Sequence, residues 1–258
     1  MAVTDPDDTD HPFGPRTVEV SATVDPLSSR APALLRQGEV EVLGRMPWSS
    51  NGTFLVRAHL DDDHAMAVYK PQRGERPLWD FPPGLWRREI AAYELSEALG
   101  WGLVPPTVHR RGPLGDGSVQ FFIAADFDQH YYTLSEDPRY RHAFERICVF
   151  DILSNQTDRK GGHCLLDSRR RIWAIDNGLS FHSEFKLRTV IWEFGGDCIP
   201  EALLAEVQRL VDQRLPESVS RWLSEAERDA VLHRARKLVS EGRYPVDSGG
   251  RRVPWPMV

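Results

Sequence analysis

The sequence predicts a two-lobed α+β fold, with a small β-rich lobe to about residue 125 and a mainly helical lobe after it. Three observations carry this. Strand signals crowd the first half, separated by polar turns. Helical spacing dominates the second, at residues 140–153, 200–215 and 224–241. Between the first two of those helices lies FDILSNQTDRKGGHCLLDSRRRIWAIDNGLSF, residues 150–181, in which two aspartates flank a short hairpin.

Composition sets the bounds. The 258 residues suffice for one large domain or two lobes with a real core. A hydrophobic content of 41% with 27% charged residues is that of a globular chain. The net charge of −6 argues against a protein that coats nucleic acid, and no nucleic-acid partner is expected. No apolar run approaches the roughly 18 residues that span a bilayer, and no stable membrane association is expected. The N-terminus MAVTDPDDTDHPFG lacks the apolar stretch of a secretory signal. Cys148, Cys164 and Cys198 form no Cys-x-x-Cys pair and read as reduced, mostly buried thiols of a cytoplasmic protein.

In chain order, residues 1–16 form a disordered acidic tail, rich in Asp and Pro. Residues 17–125 make the first lobe. TVEVSATV (17–24) alternates like a strand; residues 27–37 have helical spacing (Leu27, Ala31, Leu34, Leu35) and stop at Gly38. Strands over 39–43, 52–59 and 65–69 form an antiparallel meander, with an acidic turn at Asp61-Asp62-Asp63. Residues 85–99, LWRREIAAYELSEAL, predict a helix ended by Gly100 and Gly102. A hairpin over 108–111 and 119–125 turns at Gly115-Asp116-Gly117. Residues 126–132, DFDQHYY, break the pattern and read as a hinge.

The second lobe, 133–243, opens with the helix at 140–153 and closes with a helix whose Ser224 and Glu227 make a capping box. Pro200 sits in the first turn of the amphipathic helix between them. Residues 182–196 form a loop packed by Val190, Ile191 and Trp192, and 244–258 an irregular tail.

Several residues carry possible chemistry. Asp158 opens the polar turn DRKGGH, and Asp176 ends the apolar run Ile172 to Ile175. A hairpin through Cys164-Leu165-Leu166 brings both aspartates to one end. Phosphoryl transfer uses such a pair, one carboxylate to orient a hydroxyl and one to hold a metal on the phosphates. Asp158-Arg159-Lys160 and Asp176-Asn177-Gly178 are equally ordinary turns taken alone. Ser49-Ser50-Asn51-Gly52-Thr53, between two strands, offers small residues whose N–H groups can approach phosphate oxygens, or simply a hairpin loop. Lys70 ends the strand AMAVYK, and Glu89 lies beside the buried stripe of the 85–99 helix, where a carboxylate needs a cationic partner: Lys70, Arg88 or another neighbour.

The order of these segments resembles the protein-kinase-like superfamily, particularly its atypical members. DRKGGH looks like the DRHxxN catalytic loop of phosphoinositide 3- and 4-kinases and their protein-kinase relatives. IDNG is similar to their IDFG metal motif, and more so to the DNG form of the secretory-pathway Golgi casein kinase family. VYKP and REIAAYELSEALGWGLVPP are similar to that family's lysine strand and glutamate helix. An actinobacterial group described as phosphoinositide 3-/4-kinase-related looks similar too. The resemblance covers roughly residues 38–196.

The resemblance implies a protein-kinase-like fold with ATP and Mg²⁺ or Mn²⁺ held between the lobes near Lys70 and Asp176. Lys70 would bind the α- and β-phosphates, Glu89 would fix its ammonium, Asp158 would be the catalytic carboxylate and Asp176 the principal metal ligand. His163 stands where these families carry Asn or an acidic residue as second metal ligand, and an imidazole there favours Mn²⁺ over Mg²⁺. Lys160 replaces the usual histidine and is placed to neutralise transferred-phosphate charge. The implied activity is ATP-dependent phosphotransfer to a hydroxyl of a protein or small molecule. A nucleotide- or partner-binding pseudokinase, and an AMP transferase with ATP reversed, are the alternatives.

Overall fold

The computed structural model describes residues 22–47, 49, 51–250 and 252–258. The expected acidic tail (1–16), and most of the expected strand at 17–24, lie outside the described residues. The chain divides into two compact units, each described in turn.

The first comprises the described part of Met1–Leu78 with Pro106–Phe122. Its antiparallel sheet contains β1 (Glu39–Arg45), β2 (Phe54–Leu60), β3 (Asp63–Pro71), β4 (Thr107–Gly112) and β5 (Gly115–Phe121), in the order β1-β2-β3-β5-β4. The helix α1 (Arg30–Gln37) lies against it, burying Ala31, Leu34 and Leu35 at the i, i+3, i+4 spacing of one face. Leu27, expected on this helix, is 54% exposed. Residues 25–28 form a turn instead, in which Asp25 accepts from the N–H groups of Leu27 and Ser28. Gly38 does stop α1, by close approach and not by a left-handed φ: a Cβ there would lie 2.6 Å from the His59 carbonyl oxygen.

β3 is the central strand, and Ala65, Ala67 and Tyr69 are fully buried on one face. The β4–β5 turn falls at Pro113-Leu114, two residues before the expected one. Gly117 therefore sits inside β5. A Cβ there would collide with the Lys70 carbonyl oxygen, so glycine is what lets β5 pair with β3 at the Lys70–Ser118 register.

The second unit comprises Trp79–Pro105 and Ile123–Val258. It contains α2 (Leu85–Ala98), α3 (Tyr131–Leu134), α4 (Arg141–Ser154), the two-stranded hairpin β6 (Cys164–Leu166) and β7 (Ile172–Ala174), then α5 (Glu201–Gln213), α6 (Glu217–Ser220) and α7 (Glu225–Glu241). α2 had been expected with the sheet, in a lobe ending at residue 125. Its contacts group it here, because Ala91, Ala92, Tyr93, Leu95 and Leu99 belong to the same apolar core as Phe144, Ile147 and Phe150 of α4. Burial of each large residue of this kind contributes roughly 1.5–3 kcal/mol, so the helix follows its core and not its sequence neighbours.

The expected hinge at 126–132 is tied to this unit at its start, where Ala125 bridges Asp167 and the Asp126 N–H donates to Leu166. Pro200 is the residue before α5 and not within its first turn. The capping box of α7 is present: the Glu227 N–H donates to the Ser224 hydroxyl and the Ser224 N–H to the Glu227 carboxylate. The C-terminal stretch is irregular, yet Tyr244 is buried and the Met257 carbonyl accepts from Gly161 N–H at 2.7 Å. Cys148 and Cys164 are buried free thiols, while Cys198 is exposed. Among the described residues no helix is long and apolar enough to cross a membrane.

Candidate active site

The second unit builds an acidic site around the β6–β7 hairpin. α4 ends at Ser154, and Asn155 takes a left-handed conformation (φ 53°) that turns the chain sharply. Its side-chain amide donates to the carbonyls of His182 (2.9 Å) and Glu184 (2.6 Å), while its oxygen accepts from Lys186 N–H. One asparagine thus fixes both the exit from α4 and the segment after Phe181.

Asp158 follows two residues beyond Gln156, whose side-chain oxygen accepts the Asp158 N–H at 3.0 Å. Lys160 Nζ lies 3.6 Å from the Asp158 carboxylate. Burial nevertheless pushes the Asp158 pKa up to about 6, with Lys160 opposing and the nearby Asp176 carboxylate adding to the rise. A carboxylate with that pKa is a competent base near neutrality.

β7 delivers Asp176 to the same place. Its side chain is half exposed, and its backbone is left-handed (φ 59°), a conformation few non-glycine residues adopt. The strain is held from several sides. Gln156 Nε2 donates to the Asp176 carbonyl at 3.2 Å, Arg159 Nη1 to the Ile175 carbonyl at 2.5 Å, and Asn177 N–H to Glu89 Oε2 at 3.0 Å. Such strain characterises functional positions.

His163 lies on a short 3₁₀ turn, Gly161–His163, and neither glycine of that turn uses a left-handed φ. Its Nδ1 is 3.3 Å from the Lys160 N–H, and its Nε2 is 3.4 Å from Asp176 Oδ2. With Nδ1 accepting from Lys160, the neutral ring carries its proton on Nε2 and donates to Asp176. The spacing suits two donors about 2.1 Å from one divalent ion once Nδ1 gives up that bond and takes the ring proton. Among the described residues no group of three His, Cys, Asp or Glu side chains forms a metal cage. A divalent ion here would complete its shell with water and phosphate oxygens, as Mg²⁺ commonly does.

Beneath these residues runs a buried polar network that sequence reasoning missed. Arg159 and Asp151 are both fully buried, 3.0 Å apart. Burial pushes the Asp151 pKa up, and two-point bonding from Arg159 with a hydrogen bond from the Thr189 hydroxyl opposes it; we take the pair as ionised. Arg159 also donates to Asn177 Oδ1 at 2.7 Å. The guanidinium therefore ties α4, the Asp158 turn and the Asp176-Asn177-Gly178 turn together. The one sequence signal was Asp151 itself, a carboxylate inside the apolar run ICVFDIL. Asp151→Ala leaves a buried guanidinium unpaired and is expected to cost about 3–5 kcal/mol in urea unfolding. A loss under 1 kcal/mol would show that the pair organises nothing.

Glu89, fully inside α2, faces the Asn177-Gly178 backbone. A Cβ on Gly178 would lie 3.2 Å from its carboxylate, which explains the glycine after Asp-Asn. Arg88 is engaged elsewhere, donating to Ser180 O (2.9 Å) and pairing with Glu227.

The remaining predicted residues belong to the first unit. Lys70 is half-buried near the end of β3. In the 49–53 loop, Ser50 lies outside the described residues. Gly52 N–H donates to the Gly74 carbonyl at 2.7 Å and Thr53 N–H to the Asn51 carbonyl at 2.9 Å. The Ser49 and Thr53 hydroxyls are 2.7 Å apart, and Asn51 Oδ1 accepts from Arg76 N–H. The backbone donors expected to meet phosphate are thus, at Gly52 and Thr53, already paired within the unit.

No protein-family model matches the chain. Among solved structures, the Golgi casein kinase with Mn/ADP bound matches with a TM-score of 0.53 at 14% identity, over 89% of this chain and 80% of that one. Another structure of the Golgi casein kinase gives 0.54 at 15% identity, over 88% and 78%. The Helicobacter pylori proinflammatory kinase CtkA gives 0.50 at 11% identity, over 81% and 94%. These likenesses show a kinase-like fold, as the motif order implied. In sequence, protein Rv2133c of Mycobacterium tuberculosis is 37% identical over 87% of this chain and 94% of its own length. On this kinase-like fold, the chain belongs to the same family as Rv2133c.

Proposed function

We propose that the protein is an ATP-dependent phosphotransferase acting on a hydroxyl of a protein or small-molecule substrate. The observation that carries the reading is the pairing of Asp158, a half-buried carboxylate with a pKa of about 6, with the strained Asp176 at one end of the β6–β7 hairpin. Asp158 accepts the proton of the attacking hydroxyl, and Lys160 offsets charge developing on the transferred group. Asp176 and His163 would hold a divalent ion, which would neutralise phosphate charge. The kinase-like fold supports the reading, as does a neighbour solved with Mn and ADP. The acidic net charge and the free thiols fit a cytoplasmic enzyme without a nucleic-acid partner.

Incubation with γ- or α-labelled ATP and Mg²⁺ or Mn²⁺ tests this. Label transferred from the γ position, and lost in Asp158→Asn, supports phosphotransfer. Transfer of α-label instead makes the protein an AMP transferase. Nucleotide binding without any transfer makes it a pseudokinase.

Lys70, by the same likeness, binds the α- and β-phosphates. Lys70→Met should then weaken ATP binding or turnover about tenfold or more without lowering Tm. Wild-type turnover in that variant removes Lys70 from the reaction.

His163 sets the choice of metal. As a neutral ligand it loses metal affinity when acid protonates the ring. His163→Asn should shift preference toward Mg²⁺ and flatten that pH dependence. An unchanged Mn²⁺ to Mg²⁺ ratio would leave His163 as a hydrogen-bonding residue of the turn.

A further inference from the structure

Residues 252–258 are irregular, yet backbone bonds tie both ends of this segment to the neighbourhood of the Asp158 turn. At one end the Arg252 carbonyl accepts from Thr189 N–H at 3.1 Å and from Trp192 Nε1 at 2.9 Å. The Arg252 guanidinium stands 5.0 Å over the Phe185 ring, and the Arg252 N–H donates to Asp247 Oδ2 at 2.9 Å. At the other end the Met257 carbonyl accepts from Gly161 N–H at 2.7 Å, and the Tyr132 hydroxyl lies 3.5 Å from Met257 Sδ. Gly161 is buried, and this carbonyl is the acceptor its N–H has among the described residues. Glycine suits so close an approach, because a Cβ there would press on the Tyr132 ring at 3.2 Å.

The two attachments bracket the chemistry. Thr189 bridges Arg159, the residue after Asp158, and its hydroxyl donates to Asp151 Oδ2 at 3.1 Å. Gly161 directly follows Lys160. The stretch from Arg159 to Gly161 is thus fastened to the segment at both ends, through Thr189 at the first and directly at the second. The segment adds little to the core. Pro254 is buried, but Val253, Trp255, Met257 and Val258 are exposed, Trp255 by 86%. Apolar side chains left in water contribute little to folding, whereas a buried N–H that loses its acceptor must draw in water or shift its turn. The carbonyls of this segment therefore matter more than its side chains.

We propose that residues 252–258 form a strap that positions the Asp158 turn for transfer, with the Met257 carbonyl as its clasp on Gly161. This rests on the phosphotransferase reading of Asp158 and Lys160. Met257 is a positioning residue, acting through the turn. Lys160 lies immediately before the clasped N–H and His163 two residues after it, so release of Gly161 frees both to move. A misplacement of about 1 Å at a reacting centre can cost on the order of 10²-fold in rate.

The test compares the full chain with one shortened to Pro254, supplied with γ-labelled ATP and Mn²⁺ alone, the label being followed to water or to the protein. In the shortened chain kcat should fall about tenfold or more, with Tm within a few degrees of wild type. Amide exchange followed by NMR should accelerate about tenfold or more at Gly161 and stay slow at core positions such as Ile147. A segment that only stabilised the fold would speed both. A full-length chain carrying Trp255→Tyr, Met257→Leu and Val258→Ile keeps the carbonyl and should return kcat to within about twofold of wild type. Equal kcat in the shortened chain, unchanged exchange at Gly161, or failure of that rescue overturns the proposal. An inactive wild type removes the phosphotransferase reading instead, and exchange at Gly161 alone then decides whether the strap holds the turn. Should the shortened chain fail to fold, the wild-type amide decides: exchange as fast as an open amide overturns the strap, and slow exchange with full rescue upholds it.

Discussion

Asp176→Asn is expected to lower turnover by about 10³-fold while leaving the thermal transition within a few degrees of wild type. The two halves of this expectation have separate causes. Asp176 sits at φ 59°, where Asn and Asp are tolerated far better than other side chains, so the substitution keeps the backbone it replaces. The carboxylate is half exposed and its pairing with His163 lies near solvent, where such contacts contribute little to the fold. Chemically, Asn offers one neutral oxygen where two negative oxygens stood, too little to hold a divalent ion on phosphate. Asp176→Val is the contrasting variant: a β-branched residue cannot take this φ, and it should lose about 1–2 kcal/mol of stability as well. Parallel measurement of turnover and melting separates the effects. An Asn variant with wild-type turnover would dismiss Asp176 as metal ligand.

Strain of this kind is concentrated near the site. Asn155, Asp176 and Phe181 all have positive φ, and all three lie between the end of α4 and the start of the following loop. Each is held by contacts that a relaxed backbone would not make. Asn155 clamps residues 182–186, Asp176 is bonded through both neighbours, and Phe181 is fully buried with its N–H on the Ser154 carbonyl. The Asp151–Arg159 pair lies below them, and its burial accounts for the rigidity such a turn needs.

What could be read from the sequence follows the range of the interactions involved. The β6–β7 hairpin and its two aspartates were legible because a short apolar run between a charged turn and Asp-Asn-Gly is a local signal. The α7 capping box was legible for the same reason. Gly117 was misread as a turn because its role, admitting the Lys70 carbonyl, depends on a strand paired across some 47 residues of chain. The 49–53 loop looked open to phosphate because nothing local shows that Gly74 takes the Gly52 N–H. The grouping of α2 with the helical core, and Arg159 beneath the Asp158 turn, are likewise long-range facts. Local pattern fixes neither.

Asp158→Asn is expected to abolish phosphotransfer and to raise stability at the same time. In the fold the Asp158 pKa stands at about 6, above its ordinary 3.8, because burial disfavours the ionised form more than Lys160 favours it. The sign follows. Below about pH 4 the group is protonated in both folded and unfolded chains and costs nothing. Above pH 6 the folded chain must carry an ionised carboxylate it disfavours, and the cost grows to about 1–3 kcal/mol. Asparagine cannot ionise, so its advantage in Tm should be full at pH 7–8 and vanish as pH falls toward 4. Turnover of the wild type should move the opposite way with acid, falling as pH drops through about 6 while Asp158 takes up the proton that stops it acting as a base. Melting curves of both proteins from pH 4 to 8, set beside the wild-type pH–rate profile, test the two signs together. A variant less stable than wild type at pH 8, or a rate that stays flat through pH 6, would mean that Asp158 is a structural residue of the turn and not the base.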